Sequence, residues 1–239
     1  MHELPYKYGS EREETNMTLE ISKDSTSRRI YNLLREEIIK LNLVPGLSIS
    51  EKEISEKFNV SRTPVREAFV RLSQEGLLNI YPQKGSFISL IDLSSVEEAR
   101  FMREHLERAV VRLACAEFPR EKMLKLEMNL KFQEMYMESH DYKKIFGADE
   151  EFHELIFEGC NKKNIWATIS SMESDFQRIR ILRLTSKLRW DIVYSQHFDI
   201  CNAIKNKKPD LAEKIMKEHL TMVNFDKEQL KQDFPEYFK

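Results

Sequence analysis

Between residues 27 and 90 the apolar positions recur first at helical spacing and then at strand spacing. From Ser27 to Leu41, Ile30, Leu33, Leu34, Ile38 and Leu41 share one side of an amphipathic helix. Pro45-Gly46 breaks the chain, and Ser50-Glu51-Lys52-Glu53 then reads as a capping box, with Ile49 and Ile54 as its hydrophobic staple. Ile54 and Phe58 give this short helix an inward face, and Asn59-Val60 a tight turn. The next helix takes Thr63 as N-cap with Pro64 at its first position, and Val65, Ala68, Phe69 and Leu72 point inward. Gly76 ends it. Leu77 to Ile80 and Phe87 to Leu90 alternate as strands around the turn Pro82-Gln83-Lys84-Gly85. This is a helix-turn-helix followed by a wing whose tip is Lys84-Gly85.

Past Ser94 the period becomes helical and stays so. Six helices are expected, at about 94–117, 120–138, 141–159, 162–185, 188–206 and 208–230. Pro119 and Pro209 suit helix starts, and Gly159-Cys160-Asn161 suits a helix end. The expected fold is mainly α: a winged helix-turn-helix over 25–91 and an antiparallel all-α bundle of about six helices over 94–230. Residues 1–24 and 231–239 read as tails. So short a connection between the domains lets movement in one reach the other.

Charge changes the picture only locally. The net charge is -2, yet residues 25–90 hold ten Lys/Arg against seven Asp/Glu, while the first 24 hold three against six. Arg62, Arg66 and Arg71 lie on the open side of a helix whose N-terminus favours anions. A helix laid in a DNA major groove has this construction. Cys115, Cys160 and Cys201 form no C-x-x-C pair and suggest a reducing compartment. There is no long apolar run or signal peptide, so a cytoplasmic protein without membrane contact is expected.

The expected bundle carries its own chemistry. Asp149 and His153 share an inward face with Ile145, Phe152 and Ile156. His197 lies in a stripe with Tyr194, Cys201 and Ile204, and His219 in one with Ala212, Ile215 and Met222. Burying that many polar groups unpaired is costly. Three imidazoles and a carboxylate suit zinc, nickel, cobalt or manganese; a hydrogen-bonded polar cluster without metal is the other reading. His2, His105 and His140 fall in the tail or on the surface.

Pro45-Gly46, Ser61-Arg62-Thr63-Pro64-Val65-Arg66-Glu67-Ala68, Glu75-Gly76-Leu77 and Gly85 resemble the winged-helix domain of GntR-family bacterial transcription regulators, over about seventy residues with almost no gaps. The helical part resembles the FCD ligand-binding domain of the FadR branch, and a count of six helices leans to its VanR-like subgroup. The resemblance implies a homodimer on double-stranded operator DNA, with FCD domains in the dimer contact. Arg62 and Arg66 are then candidates for base or phosphate contact, Ser61, Thr63 and Lys52 for phosphate, and Lys84 with Gly85 for the backbone or minor groove. Asp149, His153, His197 and His219 resemble the FCD metal ligands in chain order. Arg103 and Glu107 resemble its effector-binding arginine and glutamate, or form a plain i,i+4 ion pair. Of Arg178, Arg180 and Arg183, Arg180 is the second candidate for the carboxylate of a small organic-acid effector. A repressor is expected by default. The rivals are a regulator for which the metal is itself the signal, and a metal-dependent enzyme fused to a DNA-binding domain; the latter lacks a dedicated general base beside the ligands.

Overall fold

The computed structural model describes residues 23–184, 190–221 and 227–239. Helix α1 (Lys23–Ile39) buries Ile30, Leu34 and Ile38 against α3 (Arg62–Gln74), whose Val65, Ala68, Phe69 and Leu72 are at most 1 % exposed. Between them lies α2 (Glu51–Phe58). Its capping box is formed as the sequence requires: the Ser50 hydroxyl accepts from Glu53 N, and Glu53 Oε2 accepts from Ser50 N. Ile49 and Ile54 are both buried, and Asn59 ends the helix in the left-handed region at φ 50°. The wing is β2 (Leu78–Tyr81) against β3 (Gly85–Ile88), antiparallel, with Leu78 opposite Ile88 and Tyr81 opposite Gly85. A strand that the alternation does not reveal, β1 (Ser48–Ile49), pairs with the other edge of β3. Two residues are too short for a period.

One expectation in this domain is corrected. Helix α3 starts at Arg62 with Ser61 as N-cap, so Thr63 is not the cap and Pro64 is the third helical residue. Proline costs nothing there, because the first four N–H groups of a helix have no intrahelical acceptor.

The helical domain begins at α4 (Leu93–Ala116), where Asp92 Oδ1 accepts from Ser94 N. It continues as α5 (Arg120–Glu138), α6 (Tyr142–Gly159), α7 (Lys163–Met172), α8 (Ser174–Leu184), α9 (Trp190–Lys205) and α10 (Pro209–Thr221), with α11 (Lys227–Asp233) near the end. The pairs α4–α10, α5–α6 and α9–α10 make the main packing. Their core includes Val111, Leu126, Phe152, Ile169 and Ile200, all fully buried. Gly159 is fixed by packing: a Cβ there would lie 2.1 Å from Cε2 of Phe118.

The expected count of about six helices is corrected to seven between Leu93 and Thr221, among the described residues. The expected helix at 162–185 breaks at Glu173, the C-cap of α7, whose buried carboxyl group meets Arg103 and the Gln177 side chain. The break lets α7 pack on α6 while α8 packs on α4 and α1. Residues 231–239 are not a tail. A 3-10 turn at Pro235–Tyr237 brings Tyr237 and Phe238 into a core with Ile91, Phe176 and Ile179. Ile91 N donates to Tyr237 O at 2.8 Å, and Lys239 N to Ile91 O at 3.1 Å. The N-terminal tail reading falls mostly on residues 1–22, outside the described residues; Lys23 and Asp24 already belong to α1.

The two domains are therefore joined by contacts as well as by chain. Leu41 and Val44 pack on that same C-terminal core, and Arg35 Nη2 donates to Ser170 O at 3.1 Å. Arg178, fully buried on α8, donates from Nη1 to Ser89 O at 2.6 Å and from Nη2 to Leu90 O at 3.4 Å. Asp175, also on α8, accepts from Asp92 N at 3.0 Å.

Candidate nucleic-acid interface and metal centre

Burial of Val65, Ala68, Phe69 and Leu72 forces the rest of α3 outward. Ser61, Arg62, Thr63 and Arg66 are exposed at its N-terminal end, with Lys52 on α2 and Lys84 and Gly85 at the wing tip. Gly85 adopts φ 108°, open to glycine but strained for other residues. The Ser61 hydroxyl makes no capping bond. Arg66 is already engaged: its Nε and Nη2 each donate to the Glu51 carboxylate at 3.1 Å. That hydrogen bonding raises the guanidinium pKa and holds the fork beside the N-terminus of α2. Arg71 instead lies 4.7 Å over the Tyr31 ring.

In the helical domain the inward stripes meet. Asp149 and His153 from α6, His197 from α9 and His219 from α10 place one donor atom each within 4.8 Å of the others, all buried. Their Nε2 atoms face one another: His153 and His197 lie 3.2 and 3.3 Å from that of His219, and Asp149 Oδ1 is 3.6 Å from that of His197.

The outer ring nitrogens decide the tautomers. His153 Nδ1 meets the Glu107 carboxylate, which lacks a proton to give, so Nδ1–H donates. For His197 the assignment follows a chain that starts at a backbone carbonyl. Ala148 O accepts from Asn129 Nδ2 at 3.0 Å; Asn129 Oδ1 therefore accepts from Gln133 Nε2 at 2.7 Å. Gln133 Oε1 is left to accept from His197 Nδ1 at 2.8 Å. His219 Nδ1 donates to Gln196 Oε1 at 3.0 Å. Each imidazole thus turns a lone pair inward, and lone pairs at 3.2–3.3 Å repel unless a cation lies among them. The residues fit a borderline divalent ion bound through three nitrogens and one oxygen.

The electrostatics agree with that donor set. Burial pushes His197 and His219 well below the ordinary imidazole value, so they are neutral ligands at pH 7. Burial works to raise the Asp149 carboxyl, but the Arg180 guanidinium outweighs it and holds Asp149 ionised. Glu107 is likewise kept ionised against its burial by the Nδ1–H of His153 and the Arg103 guanidinium.

Beside the cluster lies a cavity of about 40 Å³ that shares Asp149, His153 and His219 with it and has Arg103 and Arg180 in its wall. Arg103 makes the expected i,i+4 ion pair with Glu107 and also lines the cavity. Its Nε donates to Glu107 at 2.6 Å and its Nη1 to Glu173 at 3.1 Å and Glu150 at 3.2 Å. Its Nη2 is buried with no partner among the described residues. Arg180 forks onto Asp149 and Glu150. Arg183 also lines the cavity, whereas Arg178 turns to the interdomain segment.

Sequence reading missed Glu150, Glu173, Gln133 and Gln196. Glu150 and Gln196 each adjoin a ligand, and Gln133 lies on the face of α5 with Leu126 and Asn129, so a polar residue on an apolar stripe was the available signal. Glu173 had none, because its burial depends on the helix break. His105 and His140 are exposed, as expected, and His2 lies outside the described residues.

An exposed basic recognition helix with a wing, joined to a helical domain with a buried ligand set, defines a two-domain DNA-binding regulator. Comparison gives the family. Residues 26–88 match the bacterial regulatory proteins of the gntR family, and residues 98–222 match the FCD domain. The chain is 32% identical over 225 residues to the HTH-type transcriptional repressor RspR of Escherichia coli, covering 93% of this chain and 99% of that one. It is 35% identical over 214 residues to an HTH-type transcriptional regulator in an unstable DNA locus of Streptomyces ambofaciens, covering 89% and 90%. Among solved structures, E. coli McbR/YncC shares the fold at TM-score 0.74 and 19% identity, over 88% of this chain and 99% of that one. The chain belongs to the GntR family of bacterial transcription regulators and carries an FCD domain; it is a DNA-binding transcription regulator, not an enzyme.

Proposed function

We propose that this chain is a ligand-responsive repressor that binds operator DNA as a homodimer in the cytoplasm and senses a small organic acid at a divalent metal centre. One observation carries the reading: three imidazoles held by outer partners so that their Nε2 lone pairs converge beside an ionised aspartate. A structural polar cluster would satisfy those nitrogens with donors. Zinc, nickel, cobalt or manganese held by Asp149, His153, His197 and His219 would offer open coordination positions to an effector oxygen. Repression is supported by the name of the E. coli relative, and dimerisation by the small base-contact area of a single winged helix. Among the described residues no helix is long and apolar enough to cross a membrane.

Arg62, Ser61, Thr63 and Lys52 bind phosphate or base edges, Arg66 leaves or shares Glu51 to do so, and Lys84 and Gly85 touch the backbone. Arg103 takes the effector carboxylate through Nη2, and Arg180 exchanges part of its fork on Asp149 and Glu150 for it. That exchange moves α8. Two residues away on α8, Arg178 grips Ser89 and Leu90, so the movement reaches the segment that positions the winged helix. The effector must interact differently with the free and DNA-bound states for this to regulate.

The test is fluorescence anisotropy of an operator fragment with full-length protein, titrated with short carboxylic acids. An acid that shifts operator affinity at least fivefold, with the shift abolished in Arg103→Gln, supports the reading. Operator affinity indifferent to every acid but dependent on added metal would move the account to the ion as the signal.

A further inference from the structure

The pairing of Arg66 with Glu51 is more ordered than a chance meeting of surface charges. Glu51 is the first residue of α2, where the helix N-terminus favours its carboxylate, and Arg66 lies on the exposed face of α3. The contact is a fork on a fork: Arg66 Nε donates to one Glu51 oxygen and Nη2 to the other, each at 3.1 Å. It ties the two helices of the helix-turn-helix together across 15 positions of sequence. An exposed pair of this kind adds little to stability, so its geometry asks for another use.

A guanidinium carries five N–H groups, and Glu51 takes one from Nε and one from Nη2. Nη1 and the second hydrogen of Nη2 are left for another partner. The Arg66 side chain is 70% exposed and that of Glu51 29%, so the pair is open to a duplex docked on α3. Two groups of a duplex match such a fork: a phosphate, and the N7 and O6 acceptors of guanine. The carboxylate decides between them. Against a phosphate it adds like-charge repulsion and cancels the arginine's share of counterion release. Beside a neutral base edge it repels little, and it holds in place a side chain whose freedom would otherwise be lost on binding.

We infer that Glu51 is a positioning residue for sequence specificity: it holds one edge of Arg66 so that the free edge reads a guanine in the major groove and not a phosphate. This rests on the assignment of Arg66 to DNA contact proposed above. Charge gives Glu51 a separate effect. Removing its carboxylate strengthens binding to every duplex alike, so the ratio of operator affinity to unrelated-sequence affinity reports positioning and not charge.

The experiment begins with in vitro selection, in which full-length wild type takes its preferred duplex from a random-sequence library. Anisotropy then gives affinities for that duplex, for a scrambled duplex, and for versions with each guanine replaced in turn by 7-deazaguanine, which lacks N7. In wild type one such replacement should weaken binding about fivefold or more, and Arg66→Ala should be indifferent to it. Glu51→Gln should melt as wild type does, cut that penalty to about twofold or less, and lower the selected-to-scrambled ratio about fivefold. In the Arg66→Ala background, Glu51→Gln should leave the ratio unchanged. A wild type indifferent to every 7-deazaguanine would overturn the inference, and this readout needs no variant to fold. A ratio that keeps its wild-type value in Glu51→Gln, or that falls equally with Arg66 absent, would also overturn it. The DNA contact of Arg66 then stands as long as Arg66→Ala weakens binding to the selected duplex. Arg66→Ala binding that duplex as tightly as wild type would overturn the inference together with that contact.

Discussion

Arg66 and Glu51 show how a residue can be correctly placed and still hold more than its position reveals. The arginine is exposed on the recognition helix, as its place opposite Val65 and Phe69 requires, yet its fork is closed on Glu51. Arg66→Ala is expected to weaken operator binding by about tenfold or more and to leave Tm unchanged, in anisotropy and thermal melts. The histidine partners act at the same scale. Glu107→Gln removes a carboxylate that orients His153 and should weaken metal affinity about 10–100-fold in a chelator competition. Glu173 gives a pH signature. Burial, opposed by Arg103, raises its carboxyl to about 7. The folded state then holds a proton that the unfolded chain has released, so stability falls as pH rises from about 4.5 to about 7 and levels off above. Glu173→Gln should flatten that slope, gaining on wild type as pH rises, measured by denaturant melts at pH 5 and pH 8. Residue faces were legible because the period reports burial; hydrogen-bond partners such as Gln133 were not, because they depend on which helices become neighbours.

Most elements followed from local chemistry: the capping box at Ser50, the turn at Asn59 and the wing around Gly85 are each fixed by a few adjacent residues. The misread elements are those fixed from a distance. The break between α7 and α8 depends on Glu173 reaching Arg103, and the C-terminal segment is ordered by a backbone pairing with Ile91, 147 positions before Phe238. Deleting the last five residues removes Tyr237 and Phe238 from their core and should cost about 3 kcal/mol or more, seen as a lower denaturant midpoint. Helix α8 is the element expected to couple the two domains. Arg178→Gln should leave effector affinity within about twofold while reducing the effector's influence on operator binding, because Arg178 holds Ser89 and Leu90 and does not line the cavity. An effector response equal to wild type would remove α8 from the pathway.

At the scale of the molecule, two modest domains share a third core in which Leu41 and Val44 of the first meet Phe176, Ile179 and Phe238 of the second. The arrangement makes one body of what the sequence divides at residue 92, and it places the ligand cluster one helix away from the contact. Effector sensing by this chain depends on that cluster being a metal site. Its most direct test is the metal content of purified full-length protein by mass spectrometry, wild type beside His197→Ala. Near one divalent ion per chain, lost in the variant, is the predicted result. No bound ion in either protein, even after soaking with zinc, nickel, cobalt or manganese, would contradict it.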